Sequence, residues 1–206
     1  NTPPEKSRNF EVGGKFELFA NSLSLAVAAF RSEKYNERNT DPDTAAAQNL
    51  LSGKRHASGL EINMAGRITP RWEVFYNHTW IPSAKIDRSN VALNAAGTGA
   101  QVQGDRPGLT PTHSASLWTT YRVSSKVRLG LGLNHRGEQN PEGARHVLAP
   151  AFTTADAMAE YLVNDDVSLK LNVTNLGDRL YADSLYRGFY APGAPRAVQL
   201  SLKAAF

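Results

Sequence analysis

The 206 residues contain no cysteine, so neither a disulfide framework nor a thiolate metal site is possible. No long apolar run is present either. The longest is Leu25-Ala26-Val27-Ala28-Ala29-Phe30, far short of the roughly 20 residues that a membrane-crossing helix needs. This excludes a transmembrane helix but not a membrane, because a barrel strand carries its lipid-facing residues at every second position. The start, Asn1-Thr2-Pro3-Pro4-Glu5, lacks the charged and apolar segments of a signal peptide, and is expected to be a mature or internal beginning. A concentrated basic stripe is missing as well. The net charge of +4 is scattered, which argues against a nucleic-acid partner. With 41% hydrophobic and 20% charged residues, the composition is that of a folded chain.

What is present is alternation with a period of two. Val167, Leu169, Leu171 and Val173 alternate with Ser168, Lys170, Asn172 and Thr174. Val127, Leu129, Leu131 and Leu133 alternate with Arg128, Gly130, Gly132 and Asn134. Leu60, Ile62 and Met64 do so with Glu61, Asn63 and Ala65, and Val198, Leu200, Leu202, Ala204 and Phe206 with Gln199, Ser201 and Lys203. Successive strand side chains point to opposite faces, so each stretch forms one oily and one wet face.

Turn residues divide the chain into nine predicted strands: Asn9–Ala20, Ser22–Tyr35, Gly53–Thr69, Arg71–Ile86, Thr112–Val123, Lys126–Glu138, Ala151–Val163, Val167–Asp178 and Pro195–Phe206. Short turns are predicted at Asn21-Ser22, Pro70-Arg71, Ser124-Ser125 and Asn164-Asp165-Asp166. They alternate with longer links: Asn36 to Ser52, Asp87 to Pro111, Gln139 to Pro150 and Arg179 to Ala194. Short turns on one side and long loops on the other mark bacterial outer-membrane barrels. About 13 residues at roughly 3.3 Å each, tilted about 40°, rise some 33 Å and cross an apolar band of about 25 Å. Soluble sandwich strands are nearer to about 5–6 residues. Phe10, Phe16, Phe19, Phe30, Trp72, Trp80, Tyr121, Tyr161 and Phe206 fall mostly near predicted strand ends, where interfacial aromatic girdles lie. The expected fold is all-β, a transmembrane antiparallel up-and-down barrel. Bacterial barrels close with an even number of strands, so nine implies the last part of a larger one.

Several segments, in order along the chain, resemble the TonB-dependent ferric-siderophore receptors. These are Pro4-Glu5-Lys6-Ser7-Arg8-Asn9-Phe10-Glu11-Val12-Gly13-Gly14-Lys15, then Ser114-Ala115-Ser116-Leu117-Trp118-Thr119-Thr120-Tyr121, then Asp156-Ala157-Met158-Ala159 leading to Tyr161. Leu171-Asn172-Val173-Thr174-Asn175-Leu176-Gly177-Asp178-Arg179-Leu180-Tyr181 is similar to the family's element before the last extracellular loop. Pro192-Gly193-Ala194-Pro195-Arg196 is similar to its lead into the final strand. The Leu117-to-Tyr121 stretch and the last third most resemble catecholate-type receptors.

The resemblance implies an outer-membrane receptor of a Gram-negative bacterium with about 22 strands and a plugged lumen. Residues 1–206 would be the C-terminal part of its barrel, without the plug. It would bind a ferric siderophore at the cell surface and import it with energy supplied by the TonB complex through that plug. No protein-bound cofactor is implied, since iron travels as the siderophore complex, and no enzyme activity. Phe206 would be the signal read by the barrel assembly machinery, and outer-membrane lipid and lipopolysaccharide would surround the strands.

Anionic ferric siderophores call for cationic and aromatic groups at the extracellular mouth. Loops and upper strand ends offer Arg106, Arg136, Arg145, His146, Arg187 and Tyr190, which could equally be solvated loop residues or lipopolysaccharide partners. His56, His78, His113, His135 and His146 lack metal-ligand spacing in the sequence. Asp165-Asp166 reads as turn chemistry, and Gly130-Leu131-Gly132 as small residues within a strand that ease its curvature or its packing. No nucleophile–His–acid context is visible. A porin or other barrel without a plug remains the alternative, as does a soluble β-sandwich binding module.

Overall fold

The computed structural model describes residues 3–40, 49–91, 101–186, 189–205. Nine strands form one antiparallel sheet in which neighbours along the chain are neighbours in space, apart from the last pair. They are β1 (Lys6–Leu18), β2 (Leu23–Thr40), β3 (Asn49–Thr69), β4 (Trp72–Arg88), β5 (His113–Arg122), β6 (Val127–Arg136), β7 (Phe152–Leu162) and β8 (Val167–Thr174), followed by β11 (Ala197–Ala204) beside β8. Between β8 and β11 a hairpin of β9 (Ala182–Leu185) and β10 (Tyr190–Pro192) stands apart from the sheet.

The register turns the sequence alternation into two continuous surfaces. Opposed residues in an antiparallel pair share a face. Phe16, Leu25, Met64, Tyr76, Leu117, Leu133 and Ala155 therefore line up across seven strands. One residue along, Lys15, Ala26, Asn63, Asn77, Ser116, Asn134 and Thr154 make the opposite row. The first surface is oily and uncovered: Val12 is 74% exposed and Leu200 70%. An apolar area of that extent is stable only against hydrocarbon or a partner surface. It places the oily face in the lipid and the wet face in the lumen.

On the lumen face larger groups fill the pleat. Trp118 lies opposite Gly132, which in turn faces Asp156. A Cβ on Gly132 would stand 2.9 Å from the indole, so a side chain there would displace the ring. Of the two alternatives for Gly130-Leu131-Gly132, this is packing.

Turn chemistry closes one end of the sheet. Asn164 Oδ1 accepts the backbone N–H groups of Asp166 (3.0 Å) and Val167 (2.8 Å). Ser124 Oγ accepts that of Val127 at 3.1 Å. Phe19, Ala20 and Asn21 all adopt positive φ, so the first turn begins two residues before the predicted Asn21-Ser22.

The structure departs from the sequence reading at the other end. β2, β3 and β4 run on to Thr40, back to Asn49 and on to Arg88, shortening the predicted 36–52 link. These extensions lie beyond the oily band, where charge pairs replace apolar alternation: Glu37 of the β2 extension pairs with Arg55, and just below it Arg8 pairs with Glu33 at 2.6 Å. A hydrophobicity pattern is blind to them. β8 and β11 are shorter than predicted, because Asn175 takes positive φ and ends the ladder. The Arg179-to-Ala194 link, predicted as one of the longer loops, contains the β9–β10 hairpin. Phe30 belongs to the lumen face, opposite Glu11, and not to a girdle. Phe10 and Trp80 lie on the oily face toward the loop end, with Phe16, Trp72, Tyr121 and Tyr161 toward the turn end. Phe206 lies outside the described residues.

Candidate functional site

Three loops crown the long-loop end and are fastened to one another by side chains. The first, 101–112, is organised by Gln101, only 9% exposed. Its Nε2 donates to the Arg106 carbonyl (2.8 Å), while Oε1 accepts Gly108 N–H (2.9 Å) and Gly143 N–H (3.4 Å) of the second loop, 137–151. Asp105 joins the same two loops by accepting from Arg145 Nε and Nη2, both at 2.9 Å. That guanidinium holds the Asp105 carboxyl below the usual carboxylate range. Leu109 N–H completes the seam on the Asn140 carbonyl at 2.9 Å.

The third loop, 175–196, is shut at its base by Asn175, 4% exposed. Asn175 Nδ2 donates to the carbonyls of Arg179 (2.9 Å) and Ala194 (3.0 Å), and its Oδ1 accepts Arg179 N–H (2.9 Å). Asp178 Oδ1 accepts Arg196 N–H at 2.8 Å, tying the loop to the start of β11. Asp156 Oδ1 in turn accepts Asn175 N–H at 2.8 Å, anchoring this base to β7. The Tyr181 ring lies flat over Gly193, where any side chain would collide with it.

The six residues singled out from the sequence separate into different roles. Arg106 is turned inward, its Nε on the Thr110 carbonyl (2.7 Å) and its Nη2 on the Ile81 carbonyl (2.6 Å), so it pins the first loop to β4. Burial draws its pKa down. Arg145 is engaged with Asp105. His146 is exposed on the second loop. Arg136 leaves the end of β6 on the lumen face, donates to the Asp183 carbonyl at 2.7 Å, and lies 5.6 Å over the Phe152 ring. Tyr190 is half-exposed on β10. Arg187 lies outside the described residues.

Two clefts flank the hairpin and share Leu185 and Tyr186. One, of ≈ 440 Å³, lies against Ser114, Arg136, Gln139 and Asp183. The other, also ≈ 440 Å³, is walled by Val147, Leu148, Leu180, Phe189 and Tyr190. Tyr186 and Phe189 stack at 4.6 Å, and Phe152 meets Tyr181 at 4.4 Å. The mouth thus offers a fixed guanidinium beside flat aromatic surfaces, a combination suited to an anionic, ring-bearing ligand. Tyr181, Tyr186 and Phe189 were not singled out from the sequence; the signal was the concentration of aromatics between the two turn motifs of 175–178 and 192–196.

Away from the mouth, His56 pairs with Asp87 at 2.8 Å and His135 with Thr153 at 2.9 Å. The fold brings together His78 and His113, whose Nε2 and Nδ1 are 3.1 Å apart, despite 35 residues of separation. Among the described residues, no three metal-ligating side chains converge.

Comparison with known proteins follows the same outline. Residues 1–176 match the family model for the TonB dependent receptor-like β-barrel. The chain is 33% identical over 93% of its length to the TonB-dependent siderophore receptor PiuA of Acinetobacter baumannii, and 31% identical over 96% to the catecholate siderophore receptor Fiu of Escherichia coli K12. It spans about a quarter of the length of these curated relatives (25% of each). The crystal structure of PiuA superposes over 98% of the chain and 28% of its own, with a TM-score of 0.87 at 28% identity. That of Fiu, the ferric-catecholate import receptor, superposes over 99% of the chain and 28% of its own, with a TM-score of 0.85 at 29% identity. The nine-stranded sheet with its oily outer face, wet inner face and tied loops is therefore β-barrel of an outer-membrane protein, and the chain belongs to the TonB-dependent receptor family.

Proposed function

We propose that the chain forms the ligand-recognising part of a receptor that captures a ferric siderophore at the cell surface and imports it with energy supplied through TonB. The catecholate class is the favoured ligand. The observation that carries this reading is Arg136, held between Asp183 and Phe152 in one cleft, with a second cleft lined by Phe189 and Tyr190 on the far side of the shared Leu185 and Tyr186. A ferric catecholate is anionic and presents flat rings. A guanidinium held at fixed orientation meets the charge, and the aromatic walls meet the rings. Relatives named for siderophore and catecholate uptake support the same class.

In this reading Arg136, Tyr186, Phe189 and Tyr190 face the ligand, with His146 as a further contact from the rim and Arg187, outside the described residues, as a further cationic partner. Arg106 and Arg145 act as positioning residues through the loop seam. The siderophore brings its own chelating groups, so iron arrives as cargo and the protein supplies no metal ligand. TonB would act through a plug inside the barrel, and the barrel assembly machinery would read Phe206.

The test is growth of a strain lacking the full-length receptor on defined iron chelates as sole iron source, with and without restored receptor. Loss of growth on a ferric catecholate, rescued by the parent receptor and not by Arg136→Gln, is the expected result. Undiminished growth of the deletion strain on every chelate would reject import.

A further inference from the structure

The sequence shows no nucleophile–His–acid context, yet folding assembles one on the outer surface of the sheet, where β3 meets β4. His56 Nδ1 lies 2.8 Å from Asp87 Oδ2 and 2.9 Å from its Oδ1, and His56 Nε2 lies 3.2 Å from Ser83 Oγ. An ionised carboxylate only accepts, so Nδ1 carries the ring proton and Nε2 is left as a base toward the serine hydroxyl. Hydroxyl, imidazole and orienting carboxylate, in that order, are the parts of an activated serine nucleophile.

Two irregularities in the β3–β4 pairing create this arrangement. Leu60 faces Trp80 but Ser58 faces Ser83, so three steps along β4 match two along β3. Simple alternation from Trp80 would send Ser83 to the lumen, and the extra residue turns it outward instead, opposite Ser58. Gly59 makes room for this bulge, since a Cβ there would collide with the Trp80 carbonyl oxygen. A second shift separates the Arg55–Ile86 pair from Lys54–Arg88, and the residue it leaves without a partner in the ladder is Asp87. Each bulge thus delivers one member to His56.

The His56 side chain is 11% exposed and that of Asp87 27%, whereas Ser83 is open. The base is sheltered and the nucleophile presented. Lys85 stands opposite His56 on the same face, two residues from Ser83, and brings a cation to the oxygen that becomes charged during attack. Ser58 and Ser83 lie two β3 positions above the Leu60–Trp80 pair, about 7 Å along the strand. Trp80 marks the membrane interface, and the acyl ester of a lipid, which joins hydrocarbon to headgroup, lies at that boundary.

We infer that Ser83, His56 and Asp87 hydrolyse a carboxylic acyl ester of a lipid at the membrane surface. Ser83 Oγ attacks the carbonyl carbon as its proton passes to His56 Nε2. The tetrahedral adduct collapses, its ester C–O bond breaks, and the alcohol leaves with that proton. Water then gives a proton to Nε2 and attacks the acyl-serine, which releases the carboxylic acid and restores the Ser83 hydroxyl. Asp87 is a positioning residue that holds the ring and its tautomer. The inference rests on the membrane placement of the strands and is independent of what the lumen transports.

The experiment treats the purified full-length receptor, in neutral detergent, with a fluorophosphonate and locates the labelled peptide by mass spectrometry. Hydrolysis of p-nitrophenyl butyrate is followed in parallel. The label should fall on Ser83. Ser83→Ala should lose the label and at least a hundredfold of kcat/KM while keeping the parent's heat-induced gel-mobility shift. Asp87→Asn should lower kcat at least a hundredfold with KM within threefold of the parent, and Ser125→Ala, in a turn at the other end of the sheet, should match the parent. Fatty acid released from a diacyl phospholipid or from an acylated glucosamine disaccharide identifies which lipid supplies the ester. Absence of label at Ser83, hydrolysis that persists in Ser83→Ala, an Asp87→Asn loss confined to KM, or release from neither lipid would overturn the inference.

Discussion

Replacing Asn175 by Ala should release the third loop while leaving the sheet intact. The side chain makes three hydrogen bonds of 2.9–3.0 Å at the loop base and is almost fully buried. Each such bond contributes about 0.5–1.5 kcal/mol net, and the two abandoned carbonyls carry a further cost if they stay dry. Asn175 also sits at φ 48°, where Ala costs about 1 kcal/mol more than a residue tolerant of the left-handed region. Water reaching the opened base offsets part of the loss, leaving about 2–3 kcal/mol. At about 1.4 kcal/mol per decade, that is roughly a 30- to 150-fold rise in local opening. Hydrogen exchange on the full-length receptor reads it directly. The amides of Arg179, Tyr186 and Gly193, bonded to Asn175, Phe189 and Tyr181, should lose protection by that factor. Those of β6 should not. Asn175→Gly isolates the side chain from the backbone, and should show most of the effect without the φ penalty. Unchanged protection in both variants would refute the assignment of Asn175 as the clamp.

Gly132→Val should push Trp118 from its place, since a Cβ would stand 2.9 Å from the indole and 3.2 Å from Asp156. A destabilisation of about 1–3 kcal/mol is expected, seen as a lower midpoint of heat-induced gel-mobility shift, with Gly177→Val as a control at an open site. The seam between the first two loops should weaken in acid. Arg145 lowers the Asp105 pKa in the folded state, so the pair's contribution is fully present above the ordinary carboxylate pKa of about 3.9 and is lost as pH falls through the lowered value. Limited proteolysis within 137–151 should accelerate only at the acid end of that range in the parent, whereas Asp105→Asn should be cut readily at neutral pH; a flat parent profile beside a resistant variant would contradict this.

The sheet was legible because its determinants are local. Val127 to Asn134 and Val167 to Thr174 carry their faces in their own alternation, and Asn164 and Ser124 carry their turns in side chains that bond the next amides. The ends of β2 beyond Tyr35 and of β3 before Gly53 were not legible, since residues such as Glu37 alternate nothing apolar and are held by partners from other strands. The mouth was legible only as a list of cations. Nothing local distinguishes Arg106, turned onto the Ile81 carbonyl 25 residues away, from Arg136, which lies beside a cleft. Likewise the pairing of Gln101 with Gly143 is a product of the barrel bringing distant loops together.

The chain's lack of cysteine makes the central claim directly measurable. Single cysteines introduced along β6 of the full-length receptor, cleared of any other cysteine and reconstituted in bilayers, can each carry a fluorophore. Labels at Leu129→Cys, Leu131→Cys and Leu133→Cys should be quenched by lipid-borne quenchers and shielded from aqueous ones. Labels at Arg128→Cys and Asn134→Cys, on the other face of the strand, should show the reverse. Equal quenching at odd and even positions would contradict a strand with one side in lipid and the other in the lumen.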